Sequence, residues 1–359
     1  MAKLKLALLG AGDVAQRDYL PEFHRIADRA ELVAVCSRTR ERAQSVADAY
    51  DIPTTFTDYR RMLAEADVEA VINLTPIQLH DATTLACLEA GKHVYTEKPA
   101  AGSPAGAMRL RDAAARRSLT LVCAPSVLVY PQVRLAAELL ARDEIGPVHS
   151  ARGIGHGGVP PWSGYPSDPS PFFAVGGGPL VDMGVYPLHA LTGLLGPARR
   201  VSASAGRVQQ EFSVADGPFA GRSVPIAVPD LWRLTLDLGG ERLAGIEANN
   251  AVQGTRAPQL ELHGLRGTIA VNLLDVAAPV EVLRPGGDWE EIPVSHTRER
   301  GPDHLLGVEH LVECVTTGRR PILNIDHAMH VLEIVDKAAA SAATGRALDL
   351  QTTFEPAAL

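Results

Sequence analysis

The chain has 359 residues, 46% hydrophobic and 21% charged, with a formal net charge of −8. At about 150 residues per domain this predicts roughly two domains, with apolar material for cores that need no disulfide or metal staple. Predominant disorder is excluded. An acidic balance argues against a nucleic-acid partner, since a phosphate backbone requires clustered Lys and Arg.

The four cysteines, Cys36, Cys87, Cys123 and Cys314, are scattered and form no C-x-x-C pair, the usage expected of a cytoplasmic protein. The basic start and short apolar run of MAKLKLALLGAG lead straight into glycines, so no signal peptide is expected. No apolar stretch reaches the ~18 residues of a membrane helix, so no membrane partner is expected.

In chain order, residues 4–9 predict a strand, 15–28 a helix, 31–36 a strand and 40–50 a helix. Residues 70–74, 92–95 and 119–123 predict further strands, with helices over 80–90 and 104–117 between them. This alternation implies a doubly wound parallel sheet with helices on both faces. Beyond Pro125 the pattern changes. A helix over 132–141 and then a different kind of segment, 148–153, lead into a Gly- and Pro-dense stretch, 153–178, of the kind that carries function or moves. A helix is predicted over 180–195. Six short alternating runs follow, at 200–208, 231–238, 243–249, 260–262, 268–272 and 280–283, with turn residues between them. These predict an antiparallel sheet. Helices over 303–317 and 326–344 close the chain, stopped by Gly318 and Gly345. The expected division is a parallel-sheet α/β domain, 1–124, and an α+β domain, 125–359.

Gly10-Ala11-Gly12-Asp13-Val14-Ala15 lies between a predicted strand and helix, the context that a G-x-G-x-x-G/A dinucleotide fingerprint requires. Gly10 permits the tight turn, Gly12 lets a pyrophosphate approach the backbone, and Ala15 allows close helix–strand packing. Asp13 and Val14 sit where a helix N-terminus offers N–H groups to phosphate. The second strand ends in Cys36-Ser37-Arg38-Thr39-Arg40, without the acid that receives the ribose hydroxyls of NAD. Ser37 and Arg38 suit a 2′-phosphate instead, so NADP is the expected cofactor and NAD the second choice.

Four motifs in order carry a wider pattern: the glycine loop; Asn73-Leu74-Thr75-Pro76 with His80; Glu97-Lys98-Pro99; and Gly176-Gly177-Gly178-Pro179-Leu180-Val181-Asp182-Met183-Gly184. With them the whole chain resembles the glucose–fructose oxidoreductase/inositol dehydrogenase (Gfo/Idh/MocA) family. The resemblance implies a two-domain oxidoreductase acting on sugars, polyols or related diols. It implies a Rossmann domain for the cofactor and an open, mainly antiparallel sheet with helices on one face. The exposed face of that sheet is the expected interface of a homodimer or homotetramer. The resemblance also places Asn73, Thr75, Pro76 and His80 along the cofactor; His80 serves equally well as a structural histidine. Glu97 has a supporting polar role there.

Hydride transfer from a secondary alcohol needs a group that takes the hydroxyl proton. Lys98 follows a predicted parallel strand at its carboxyl end, where ligand crevices of such sheets lie. The resemblance makes Lys98 the acid/base group. Many relatives read D-x-G-x-H-x-x-D where this chain reads Asp182-Met183-Gly184-Val185-Tyr186-Pro187-Leu188-His189. The histidine is therefore Tyr186, as in the glucose–fructose oxidoreductase and dihydrodiol dehydrogenase branches, and a phenol beside an ammonium can exchange a proton. Asp182 would orient a substrate hydroxyl or hold the lysine. Asp182, Tyr186 and His189 share one face of an ideal helix and form the expected substrate side with Lys98. Trp162, Tyr165, Phe172 and Phe173 either stack on a sugar ring or dock into the core or an interface.

No metal site is expected, since His327/His330 and His304/His310 lack thiolate partners and an H-E-x-x-H context. No G-x-S-x-G elbow marks a serine hydrolase. Two alternatives to a dehydrogenase are an NAD-dependent glycosidase using transient oxidation and a catalytically silent, cofactor-binding regulator. The conjunction of Lys98, Asp182 and Tyr186 argues against the regulator, which needs no proton relay.

Overall fold

The computed structural model describes residues 2–156, 166–298 and 300–359. The chain divides into two compact units: Met1–Val129 with Asp303–Met329, and Tyr130–Pro302 with His330–Leu359.

The first unit holds six parallel strands: β1 (Leu4–Leu9), β2 (Ala30–Cys36), β3 (Thr54–Phe56), β4 (Ala70–Asn73), β5 (His93–Thr96) and β6 (Leu121–Cys123). Their order is β3-β2-β1-β4-β5-β6, so the winding reverses between β1 and β4. The central strands are buried on both faces: Leu6 and Ala7 of β1 and Ala70 and Val71 of β4 are each 0% exposed. That double burial explains their continuous apolar reading. Helices start where side chains replace missing backbone partners. Thr39 accepts from the Arg42 amide, Asp58 from that of Arg60, and Ser103 from that of Gly106.

The helix expected over 15–28 is instead a π turn, Ala15–Tyr19, followed by a 3-10 segment, Leu20–Ile26. Pro21 explains the difference: it has no N–H to give four residues back, and its ring crowds that carbonyl.

Residues 303–329, assigned to the second domain from sequence, pack with the first unit. Asp303, wholly buried, pairs with Arg25 at 2.5 Å and accepts from the Leu305 amide, opening the helix Leu305–Thr317. In that helix, a Cβ on Gly307 would lie 2.5 Å from both Ser126 Oγ and Tyr95 Cε2. Only glycine lets the helix approach so closely. The Cys123 amide donates to the Leu323 carbonyl at 2.9 Å, covering the open side of the edge strand β6. The partners that tie this segment to the first unit, Arg25, Tyr95, Cys123 and Ser126, are all far away in sequence, which is why local patterning misses the return.

The second unit carries β7 (Val148–Gly155), β8 (Arg200–Gly206), β9 (Glu211–Ser213), β10 (Ser223–Pro225), β11 (Leu231–Gly239), β12 (Arg242–Asn249), β13 (Leu260–Gly264), β14 (Gly267–Val271), β15 (Val280–Leu283), β16 (Trp289–Ile292) and β17 (Leu348–Asp349). Nine of them form the sheet β16-β15-β14-β13-β7-β12-β11-β8-β17, antiparallel except where β7 meets β12. The ribbon β9–β10 closes a small core of Phe173, Val214, Val224 and Ile226, against which Phe172 packs. One face of the large sheet is apolar, with Trp232, Leu234 and Leu236 alternating along β11. The other bears cross-strand charge pairs: Arg233 lies 2.8 Å from Glu247, and Arg152 lies 3.6 Å from Glu261. Among the described residues no helix is long and apolar enough to cross a membrane.

Candidate active site

In the first unit the site grows from the reversal between β1 and β4. Gly10 follows β1 with φ +102°, and a Cβ there would lie 2.5 Å from the Leu74 carbonyl oxygen after β4. Gly12 differs: a Cβ there would meet nothing within 4 Å. The first glycine closes the turn, and the second leaves a bare stretch of backbone facing open space. Asp13 and Val14 are half-buried beside it, and Ala15 is fully buried against the sheet. This cradle fits the pyrophosphate of a dinucleotide. At the end of β2, Ser37 is half-buried and Arg38 exposed, and the Ser37 amide is tied to the Phe56 carbonyl.

Asn73 closes β4 and is wholly buried. Its amide nitrogen donates to Thr83 and Thr84 at 2.8 and 2.9 Å, and its oxygen accepts from the Thr75 hydroxyl at 2.8 Å. All of that side chain's capacity serves the fold of the 73–84 loop, so Asn73 acts by shaping the loop that carries Thr75 and Pro76. Thr75 is half-buried and Pro76 exposed. His80 is 1% exposed, with Nδ1 2.7 Å from the Pro99 carbonyl and Nε2 2.8 Å from the Thr75 carbonyl. It bridges the loop after β4 to the loop after β5, the structural role that sequence left open.

Glu97 and Lys98 follow β5. The Glu97 amide donates to the Asn73 carbonyl at 3.0 Å, extending the strand pairing by one residue. The Glu97 carboxylate is 9% exposed; it accepts from the Lys98 amide at 2.7 Å and from the Tyr19 hydroxyl at 2.5 Å. Lys98 is half-buried, and the peptide to Pro99 is cis. Asp81 holds the following loop by accepting from the Gly102 amide at 2.7 Å. Tyr19, Tyr95 and Asp81 are supports that sequence reading missed. Tyr19 and Tyr95 meet across 76 positions, and no local pattern announces that contact.

In the second unit a π turn, Leu180–Gly184, precedes the helix Val185–Leu195. Two glycines of β7 draw this segment onto the sheet: a Cβ on Gly155 would lie 2.6 Å from Gly184 Cα, and one on Gly153 2.8 Å from Pro187 Cβ. The π turn underwinds the residues before Val185, so the spacing of an ideal helix does not run unbroken from Asp182. Asp182 and Tyr186 are half-buried, whereas His189 is 7% exposed. Burial and the neighbouring His330 push the His189 imidazole down to about 3. His189 thus sits in the interior, not at the same depth as the two residues it was grouped with. Phe173 belongs to the small β9–β10 core and Phe172 lies against it, in agreement with the docking alternative for both. Trp162 and Tyr165 lie outside the described residues.

Among the described residues, no group of three or more His, Cys, Asp or Glu side chains could hold a metal ion.

Known proteins give an independent comparison. Residues 4–124 match the model of the Gfo/Idh/MocA oxidoreductase family with its NAD-binding Rossmann fold, and residues 133–270 match a C-terminal domain of the same family. The chain is 34% identical over 208 residues to dTDP-3,4-didehydro-2,6-dideoxy-alpha-D-glucose 3-reductase of Streptomyces violaceoruber, covering 57% of this chain and 58% of the relative. It is 26% identical over 357 residues to D-xylose 1-dehydrogenase (NADP(+)) 2 of Haloferax volcanii, covering 97% and 100%. Four curated relatives at 30–34% identity, the reductase among them, are matched over 54–61% of their own lengths. A levoglucosan dehydrogenase solved with NADH and L-sorbose superposes with a TM-score of 0.83 at 20% identity, over 98% of this chain and 100% of that one, a likeness of fold. With models of one family matched over 4–124 and 133–270, the chain belongs to the Gfo/Idh/MocA oxidoreductase family.

Proposed function

We propose that this protein is an NAD(P)-dependent oxidoreductase that interconverts a secondary alcohol and a carbonyl on a sugar, polyol or related diol. The observation that carries the reading is the juxtaposition at one edge of the first sheet. β1, β4 and β5 are parallel neighbours, so the Gly10–Gly12 cradle, the Thr75 loop and Lys98 all stand at their carboxyl ends. Ligands of such sheets bind there. A bound nicotinamide supplies the hydride acceptor or donor. Lys98 holds or releases the hydroxyl proton, as its place in the Glu-Lys-Pro motif suggests. Tyr186 is assigned the second relay position and Asp182 the orientation of the substrate hydroxyl, both from the family motif. Relatives named for dideoxyglucose reduction and xylose oxidation support a carbohydrate substrate.

NADP is the proposed cofactor. Support comes from the acid-free end of β2, where Arg38 is exposed next to a half-buried Ser37, and from the NADP-dependent xylose dehydrogenase relative. A cytoplasmic location is proposed from the four cysteines, which are buried free thiols. A homodimer or homotetramer through the second sheet is proposed from its outer face. Alternating Arg and Glu on neighbouring strands there suit pairing with a second copy of the same face.

The test is a panel of aldoses, polyols and ketoses with each nicotinamide, followed at the absorbance of the reduced ring. Turnover with at least one carbohydrate, faster with NADP(H), is expected. Cleavage of a glycoside with no net change in the nicotinamide would favour the glycosidase instead.

A further inference from the structure

Behind Lys98 lies a polar cluster that the reaction chemistry does not itself require. Tyr19 is 2% exposed, Tyr95 0% and Glu97 9%. The Tyr19 hydroxyl is 2.8 Å from that of Tyr95 and 2.5 Å from Glu97 Oε1, while Glu97 Oε2 accepts from the Lys98 amide at 2.7 Å. An ionised carboxylate only accepts, so the Tyr19 proton points at Glu97. The Tyr19 oxygen is then left to accept from Tyr95. Donation therefore runs Tyr95 to Tyr19 to Glu97, and each carboxylate oxygen has its own donor. The two rings meet edge to face, with centroids 5.9 Å apart, so the hydroxyls have little freedom to leave this line.

Such a cluster is weak evidence of a stabilising role. Replacing buried charged groups by well-packed apolar ones is often neutral or stabilising. What the cluster does supply is direction: it fixes the backbone at the residue whose side chain carries the chemistry. Burial, and then the Glu97 charge, raise the Tyr19 phenol well above its usual range, so it stays a donor wherever the enzyme works.

We propose that Tyr19 and Tyr95 are positioning residues that act through Glu97 to hold the Lys98 peptide, and with it the Lys98 side chain, in place for proton transfer. This rests on the reading of Lys98 as the acid/base group.

The test uses the full chain and the variants Tyr19→Phe, Glu97→Gln and their double. Two measurements are made: steady-state kinetics with the best carbohydrate of the panel, and amide hydrogen exchange of the peptide containing Lys98. Tyr19→Phe should lower kcat by about 10- to 100-fold, the scale of a small misplacement of a reacting group. The KM for the nicotinamide should stay within about twofold, because the Gly10–Gly12 cradle is untouched. Exchange at the Lys98 amide should quicken, and the double variant should be no slower than the slower single. Unchanged kcat, unchanged exchange, or losses that multiply in the double variant would each overturn the proposal. If Tyr19→Phe does not fold, Tyr95→Phe removes only the outer donor and should show a smaller loss in the same direction. If no carbohydrate is turned over by the unmodified chain, the function reading fails on that result, and with it the catalytic part of the proposal. The exchange measurement then still decides whether the cluster holds the Lys98 peptide.

Discussion

Gly10 lies directly beneath Leu74: its missing Cβ would sit 2.5 Å from the Leu74 carbonyl oxygen, and its φ of +102° is one that side chains avoid. Gly12, two residues on, has open space where a side chain would be. Two glycines of one motif therefore carry different duties. Gly10→Ala should destabilise the first unit by at least about 2 kcal/mol, from backbone strain and collision together. Gly12→Ala should leave thermal stability nearly unchanged but weaken nicotinamide binding by about tenfold, because phosphate loses its approach to the backbone. Thermal melts and NADH fluorescence titrations check both. Equal melting losses in the two variants would contradict the division.

Lys98→Ala should lower kcat by about 10²–10⁴, the contribution of one acid/base group. Binding of the cofactor should persist, since the phosphate cradle follows β1 and the lysine follows β5. Single-turnover kinetics next to equilibrium binding separate the two effects. Full activity in this variant would end the acid/base assignment.

Arg38→Ala should weaken NADPH about tenfold or more while barely affecting NADH, since a guanidinium pairs with a 2′-phosphate and has no such partner on NADH. The ratio of the two dissociation constants is the readout. Equal loss for both would remove the 2′-phosphate role.

Acid should erode the stability of the second unit through two overlapping contributions. The His330 imidazole accepts the Ala198 amide on Nε2, and Nδ1 faces the Thr352 carbonyl, so the neutral ring is the one that fits. Burial, opposed by the Thr352 bond and Glu333, lowers it from the usual 6.5 to about 4, and His189 falls to about 3. Both rings take up protons more readily unfolded than folded. Stability is therefore complete above about pH 6.5 and falls as pH drops through 4 towards 3.

Glu333 adds the contribution that reaches to lower pH. Burial alone would raise its carboxyl, but hydrogen bonds from Thr352 and Gln351 and the Lys337 ammonium hold it at about 2. Its contribution is present above the usual carboxylate range near 4.5 and is lost as pH falls towards 2. Glu333→Gln should cost about 2–3 kcal/mol at neutral pH, the scale of hydrogen bonds to a charged group, and should flatten the stability curve below pH 4.5. Urea unfolding followed by tryptophan fluorescence, repeated across pH, measures this.

The motifs that frame the candidate site were legible because they are local. The glycine loop and the Glu-Lys-Pro motif each lie within a few residues, where spacing reports geometry directly, and the parallel sheet reads strand by strand from the alternation over 4–123. The single helix over 15–28 misled because one proline outweighed an otherwise helical pattern. The grouping of Asp182, Tyr186 and His189 assumed an unbroken α-helix, and a π turn interrupts it. The role of Asn73 lay in hydrogen bonds to Thr83 and Thr84, which motif reading cannot apportion between fold and ligand. Tyr19 and the 303–329 return depend on partners far along the chain, and sequence alone offers no reason to pair Arg25 with Asp303.

That return has a bearing on biosynthesis. The edge of the nucleotide-binding sheet is covered by Leu323, and Tyr95 packs against a helix that begins at Leu305. A nascent polypeptide released from the ribosome after its first 130 residues would lack both. Maturation of the cofactor module must therefore wait until residues 303–329 have been synthesised, and a gene fragment encoding only residues 1–130 should yield an incomplete product.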